Sequence, residues 1–197
     1  MVLAFVGIQR LHPAVRLTLV VLGLVSTPLI AFNYTDYLMY DKDDAGNVRL
    51  GLLIKQNTPA TARVADFWAG TIFYYSERYA IDFLGKSDSH IAHLPVVSSG
   101  QKPGHNKFDF DYSLGVLKPD LVVANFKLPV TEDSMRKASV GNWAYHGQLY
   151  FNSIFREHYL PNPVACETRR TIFAADWSPE RDRISDWKDL SAEAQGP

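Results

Sequence analysis

Ala62-Arg-Val-Ala-Asp-Phe-Trp-Ala69 is a half-alternating apolar run that stops at Gly70, Thr71-Ile-Phe-Tyr-Tyr-Ser-Glu77 follows it, and Tyr79-Ala-Ile-Asp-Phe-Leu84 closes at Gly85. Alternation, then a short stretch with an N-cap candidate, then a second apolar run predict strand, helix and strand. Two parallel strands joined through a helix leave their carboxyl ends at one edge, where open α/β sheets commonly place ligands. From that edge the chain runs into Lys86-Ser-Asp-Ser-His-Ile-Ala-His93 and Gly100-Gln-Lys-Pro-Gly-His-Asn-Lys107, read as one long polar loop. Asp82, Asp88, His90, His93, His105 and Lys107 are therefore the first polar groups to consider.

The alternation continues outward from this stretch. Phe108–Leu117 reads as a helix with Asp in its first turns, where the helix dipole favours anions. Asp120–Asn125 reads as a short, fully buried strand. Upstream, Val48–Asn57 reads as an amphipathic helix with Leu50, Leu53 and Ile54 on its apolar face, stopped by Asn57 and Pro59. Downstream, residues 127–141 read as a polar loop, Tyr150–His158 as a helix, Arg170–Ala175 as a strand and Trp177–Pro197 as a charged surface tail. The expected fold is α/β, a small, mostly parallel sheet with flanking helices, preceded by one transmembrane helix.

That helix is read from Leu17–Thr35, nineteen residues without a charge. At about 1.5 Å per residue they make roughly 28 Å of helix, close to the hydrocarbon thickness of a bilayer. Arg10 and Arg16 precede the run and a single Lys42 follows it, which by the positive-inside bias puts the N-terminus in the cytoplasm and the rest outside. Tyr34, Tyr37 and Tyr40 then fall at the outer interface. A cleaved signal peptide and a buried soluble helix are the competing readings. The apolar Met1–Ile8 resembles the end of an earlier membrane helix, so that residues 1–13 would be that end and a turn, 14–35 the span, 36–47 a linker with a turn at Gly46, 48–176 the extracytoplasmic domain and 177–197 the tail. On this reading the chain is part of a longer protein.

Composition narrows the function classes. A net charge of −1, with no Lys/Arg cluster interleaved with aromatics, gives no general attraction to nucleic acid. The single cysteine, Cys166, excludes an intrachain disulfide and a Cys-rich zinc site; a lone Cys is most often a small buried hydrophobe. Ten Tyr, eleven Phe and four Trp supply a core and also potential sugar-stacking faces. No glycine-rich nucleotide fingerprint and no Gly-x-Ser-x-Gly nucleophile elbow are present. Asp88, His90, His93 and His105 have ligand chemistry, but a His spacing of three serves a metal only on a helix or tight turn, and ordinary loop hydrogen bonding is the simpler reading. Gly104-His-Asn-Lys107 offers a flexible glycine beside polar groups suited to a phosphate or a sugar hydroxyl array, or simply a turn into the next helix. Asp82, at a strand end, can hold the His-rich loop by a charge-assisted hydrogen bond.

Asn57-Thr-Pro59, Ala69-Gly70 with Tyr74-Tyr-Ser-Glu-Arg78, Ile81-Asp-Phe-Leu-Gly85, His90-Ile-Ala92, Pro103-Gly-His-x-Lys107 and Lys118-Pro-Asp120, in that order and spacing, resemble the extracytoplasmic C-terminal domain of bacterial polytopic C-type glycosyltransferases, the arabinofuranosyl- and mannosyltransferase-like enzymes that use polyprenyl-phosphate sugars. The resemblance is strongest over Asn57–Asn125. It implies transfer of sugar from a polyprenyl-phosphate donor to a cell-envelope acceptor, with the membrane, the lipid-linked sugar and a glycan as partners; separately, from the residues themselves, no cofactor or metal is expected. In such enzymes the catalytic acidic residue lies in an early extracytoplasmic loop, for which this chain has no counterpart. No residue is therefore assigned a catalytic role, and Asp82, His90, His105 and Lys107 are expected to bind substrate or to support the domain. The alternative is a freestanding, membrane-anchored glycan- or phosphate-binding module without catalysis, with Trp68, Tyr74, Tyr75 and Trp143 as its stacking faces.

Overall fold

The computed structural model describes residues 11–32, 35–97, 104–126, 130–140, 144–160, 163–165 and 170–187, with the side chains of 27–43 and 163–165 outside the description. Cys166 and Trp143 lie outside the described residues, as does Tyr34, and the side chains of Tyr37 and Tyr40 lie outside them too. Two compact units are present, Met1–Asp43 and Asp44–Pro197.

In the first unit, α1 (Pro13–Phe32) is a helix on which Leu17, Leu19, Val20, Val21, Leu22, Leu24 and Val25 are all exposed. These positions fall on every side of a 3.6-residue turn, so the apolar surface is not a stripe facing one core. Among the described residues, no helix is long and apolar enough to cross a membrane. The described side chains of this helix stop at Ser26, whereas the expected span runs to residue 35.

The next helix, α2 (Thr35–Asn57), is continuous through the stretch read as a linker with a turn at Gly46. A glycine inside a helix costs only about 1 kcal/mol. Leu50, Leu53 and Ile54 are buried further along, and packing of that face outweighs local propensity.

The sheet has five strands in the order β2-β1-β3-β5-β4, formed by β1 (Arg63–Asp66), β2 (Tyr79–Asp82), β3 (Leu121–Ala124), β4 (Pro163–Ala165) and β5 (Thr171–Ala174). Strand β1 lies between β2 and β3 and is parallel to both, with Asp66 level with Asp82. The α/β class holds, but the sheet is mixed rather than mostly parallel, because β5 runs antiparallel to both β3 and β4. Periodicity reports that residues 170–175 form a strand and carries no sign for its direction. Helix α3 (Thr71–Ser76) makes the crossover from β1 to β2 and starts after Gly70, which has no side chain to cap it.

Successive residues of these strands point to opposite faces, and both faces are buried. Val64, Leu121, Val123, Ile172 and Ala174 join Leu50, Leu53 and Ile54 on one side, while Ala65, Ile81, Val122, Ala124 and Phe173 join a large aromatic cluster on the other. A strand buried on both faces reads as a continuous apolar run, as Leu121–Ala124 does.

Several irregular stretches are ordered more than their sequence suggests. The His-rich loop contains α4 (Ser89–Ala92), begun by the Asp88 side chain accepting from the Ile91 N–H at 3.1 Å. Residues 111–116 form a π-helical segment rather than an α-helix, with the Leu117 N–H donating to the Tyr112 carbonyl at 3.1 Å. The 127–141 stretch contains α5 (Glu132–Ala138), begun by a reciprocal cap between Thr131 and Ser134. Helix α6 (Ala144–Phe151) is separated from α7 (Ser153–His158) by Asn152, whose side chain accepts from the Ile154 and Phe155 N–H groups. The expected surface tail packs in part: Ile184 is buried in the core face that holds Leu50 and Leu121.

Candidate functional site

The chain leaves β1 toward β2 on one side, while β3 has its other neighbour, β5, on the opposite side. The carboxyl ends of β1 and β3 thus flank the point where the strand order reverses, the usual place for a crevice in an α/β sheet. Asp66 ends β1. Strand β5 runs the other way, with Thr171 level with Ala124, so its first residues arrive at that same edge. Arg170 immediately precedes it, and its Nη1 lies 3.3 Å from Asp66 Oδ1. Both groups are buried, and the Arg170 guanidinium lies 5.1 Å from the centre of the Trp68 ring, in cation–π range.

Asp66 Oδ1 also accepts from the Phe67 N–H at 2.6 Å, whereas buried Oδ2 has no hydrogen-bond partner among the described residues. Burial pushes the Asp66 carboxyl up to about 7, outweighing the downward pull of Arg170 and of the Phe67 and Trp68 N–H groups. Phe67, the residue after Asp66, packs against His146, whose ring is 4.6 Å from that of Phe67 and 4.5 Å from that of Tyr145. Burial pulls His146 down to about 3, with the Arg170 and His105 charges acting in the same direction. Its imidazole is neutral at physiological pH. Burial likewise raises the Tyr145 phenol well above its ordinary value.

These two groups oppose one another in the pH dependence of stability. The native state keeps a proton on Asp66 that the unfolded chain releases, so this contribution is full below about 3.8 and is lost as pH rises to about 7. For His146 the unfolded chain takes a proton that the native state refuses, so stability is lost as pH falls from about 6.5 toward 3. Relative to the parent protein, His146→Phe should therefore lose stability as pH rises from 4 to 7, and Asp66→Asn should lose it as pH falls through the same window. Urea midpoints measured across that window check this; parallel profiles for the two variants would contradict it.

A cavity of about 170 Å³ is walled by Trp68, Gly70, Thr71, Asn47, Asp44 and Lys86, among others, and lies where β1 hands over to α3. Lys86 and Asp44 are exposed and Asn47 is buried, so the cavity offers a cation, a carboxylate and an amide beside an aromatic ring. Asp66 is fully covered and does not line this cavity; Trp68, on whose ring the Arg170 guanidinium rests, does.

The residues expected from sequence each make contacts of their own. Asp82 is buried and occupied: Oδ1 accepts from the Leu84 N–H at 2.9 Å, and Oδ2 from the Ser87 N–H at 2.6 Å and its hydroxyl at 3.2 Å. It anchors the turn that begins the His-rich segment. His90 Nε2 lies 3.5 Å from Asp109 Oδ2, and its ring lies 4.1 Å from that of Tyr112. Lys107 Nζ donates to the Ala92 carbonyl at 2.6 Å, which ties Lys107 to the end of α4, the helix that carries His90. His105 sits nearer the buried centre, its ring 5.8 Å from Tyr145. Among the described residues, no three His, Cys, Asp or Glu side chains are close enough together to hold a metal ion.

Sequence reading missed Asp66, Arg170 and His146. Asp66 had a signal, since a carboxylate closing an apolar strand run at the same level as Asp82 is costly unless paired. Arg170 had none without the direction of β5.

A protein-family model described as Domain of unknown function (DUF8728) matches residues 33–179. No curated protein matches the chain. No solved structure matches it either.

Proposed function

Since the chain belongs to the DUF8728 family, whose match runs from the residues before α2 to those beyond β5, we propose that it is the membrane-anchored extracytoplasmic domain of a glycosyltransferase that moves sugar from a polyprenyl-phosphate donor to a cell-envelope acceptor. The observation that carries this reading is α1, whose described apolar side chains from Leu17 to Val25 are exposed on all sides. In water such a surface is costly, at about 25 cal/mol per Å² of apolar area, and lipid removes that cost. The motif series resembling polyprenyl-phosphate-sugar transferases and the cavity beside Trp68, with Lys86 in its wall, support a role in holding the donor or the acceptor. The domain shapes the site, and no catalytic role falls to its residues.

Fractionation tests this. The chain expressed with a C-terminal tag should stay in the membrane after carbonate washing, and external protease should remove the tag. A chain released by carbonate, or a tag shielded from protease, would sink the topology. The second reading, an anchored glycan- or phosphate-binding module without chemistry, is favoured by exposed Tyr74 and its edge-on neighbour Tyr75, whose ring centres are 5.1 Å apart. Turnover of a polyprenyl-phosphate sugar that depends on this domain would decide against it.

A further inference from the structure

A second concavity, of about 380 Å³, opens between the 94–97 segment, the turn entering the π-helical segment and the α6–α7 junction. Its volume lies within the range of small-molecule sites, about 300–1,000 Å³. We propose that it binds a neutral saccharide, the acceptor glycan; the acceptor role rests on the transferase reading, the ligand chemistry does not.

The lining combines an apolar surface with planar polar groups. Leu94, Val97, Phe108 and Phe110 supply the first, the two phenyl rings stacking on one another at 4.9 Å. Asp109, Asp111, Gln148 and Asn152 supply the second. A sugar ring matches that division, with C–H faces for the apolar surface and paired hydroxyls that both donate and accept.

Charge argues against an anion, since two carboxylates and no Lys or Arg are among the described residues of the lining. The nearby Lys107 ammonium is engaged with the Ala92 carbonyl. A metal cation is also a poor match, because among the described residues no three His, Cys, Asp or Glu side chains stand close enough together to hold one. Asp109 has the Tyr112 N–H at 2.9 Å and His90 at 3.5 Å, and Asp111 has the Asn152 amide at 2.8 Å. Among the described residues the Gln148 carboxamide makes no hydrogen bond, which leaves a donor and an acceptor for a hydroxyl pair.

The cavity wall is held before any ligand arrives. The Val97 N–H donates to the Asn106 carbonyl at 2.8 Å, tying one lip to the segment entering Phe108. Asp111 opens the π-helical segment, a geometry that is rare and recurs at functional sites. Sugar binding here therefore requires little ordering of the protein.

The test uses the purified full chain with maltotriose, mannotriose and arabinotriose at millimolar concentration, read by saturation-transfer NMR and calorimetry. At least one should bind. Gln148→Ala should weaken it about tenfold, the equivalent of roughly one well-made hydrogen bond, with an unchanged melting temperature, and Gln148→Trp should abolish it by filling the cavity. The proposal is overturned by the absence of saccharide binding, by binding indifferent to both Gln148 variants, or by spermidine or inorganic phosphate binding instead in a manner that Gln148→Trp removes. A carbonate-released chain that still binds saccharide through Gln148 would end the transferase reading and leave this one standing. A membrane-held chain that binds none would do the reverse.

Discussion

Arg170→Ala is expected to destabilise the domain by about 3–5 kcal/mol at pH 8, because it removes one member of a buried ion pair and leaves the other without compensation. Among the described residues Arg170 has Asp66 Oδ1 as its polar contact, at 3.3 Å, and it rests on Trp68, so the substitution removes both a charge and a stacking surface. The loss should shrink at pH 5. The Asp66 carboxyl, already pushed up to about 7 by burial, rises further without the guanidinium and is neutral there. Urea unfolding of parent and variant at the two pH values measures this directly. A double variant, Asp66→Leu with Arg170→Met, should recover much of the loss, since a buried pair replaced by apolar groups of similar volume is often near neutral in stability. Equal losses at pH 5 and pH 8 would show that packing against Trp68, rather than the unpaired carboxylate, sets the cost.

Phe67→Ala should cost a similar amount, about 3–5 kcal/mol, for a different reason. Phe67 is buried at the centre of the aromatic cluster, with ring centres of Phe83, Tyr145 and His146 at 5.1, 4.9 and 4.6 Å. Its removal leaves a cavity that these rings cannot all collapse into. It also takes away part of the cover that keeps His146 neutral, so the imidazole should rise from about 3 toward its ordinary 6.5. NMR titration of the imidazole reads that shift apart from the loss of stability. A destabilised variant with an unmoved His146 would mean that Tyr145 and Phe126, whose ring lies 6.2 Å away, are sufficient cover by themselves.

The elements that sequence reading located well are those whose signal is local and strongly periodic. The strands at 63–66, 79–82 and 121–124 all fall inside the predicted runs, and the crossover helix at 71–76 sits between the first two. Where reading failed, a distant partner decided the outcome. Residues 36–47 look like a linker because they are polar and contain Gly46, yet they are helical in continuity with a segment anchored by Leu50, Leu53 and Ile54. Ile184 lies in a charged stretch with no visible period, and it is buried because the core face of Leu121 and Ile172 receives it. The reciprocal cap of Thr131 and Ser134 is a local signal that was there to be read, with serine where Glu or Gln is more usual.

The same division runs through the functional edge. The alternation of apolar runs and helices determined an α/β fold, and the glycines and polar residues after β1 and β2 determined that a loop-rich edge would form at their carboxyl ends. Asp82 at that edge was visible because it closes a strand. Its role as the acceptor for Leu84 and Ser87 was not, since a carboxylate that anchors a turn and one that awaits a ligand have the same sequence. Tertiary structure alone decided that Asp66 meets Arg170. They are 104 positions apart, and they meet only because β5 enters the sheet antiparallel to β3. Had β5 run parallel, its first residue would lie at the opposite edge, and Asp66 would be a buried carboxylate with no cation to pair. Strand direction is set by how the connecting chain returns to the sheet, a property of the whole path that no window of residues contains.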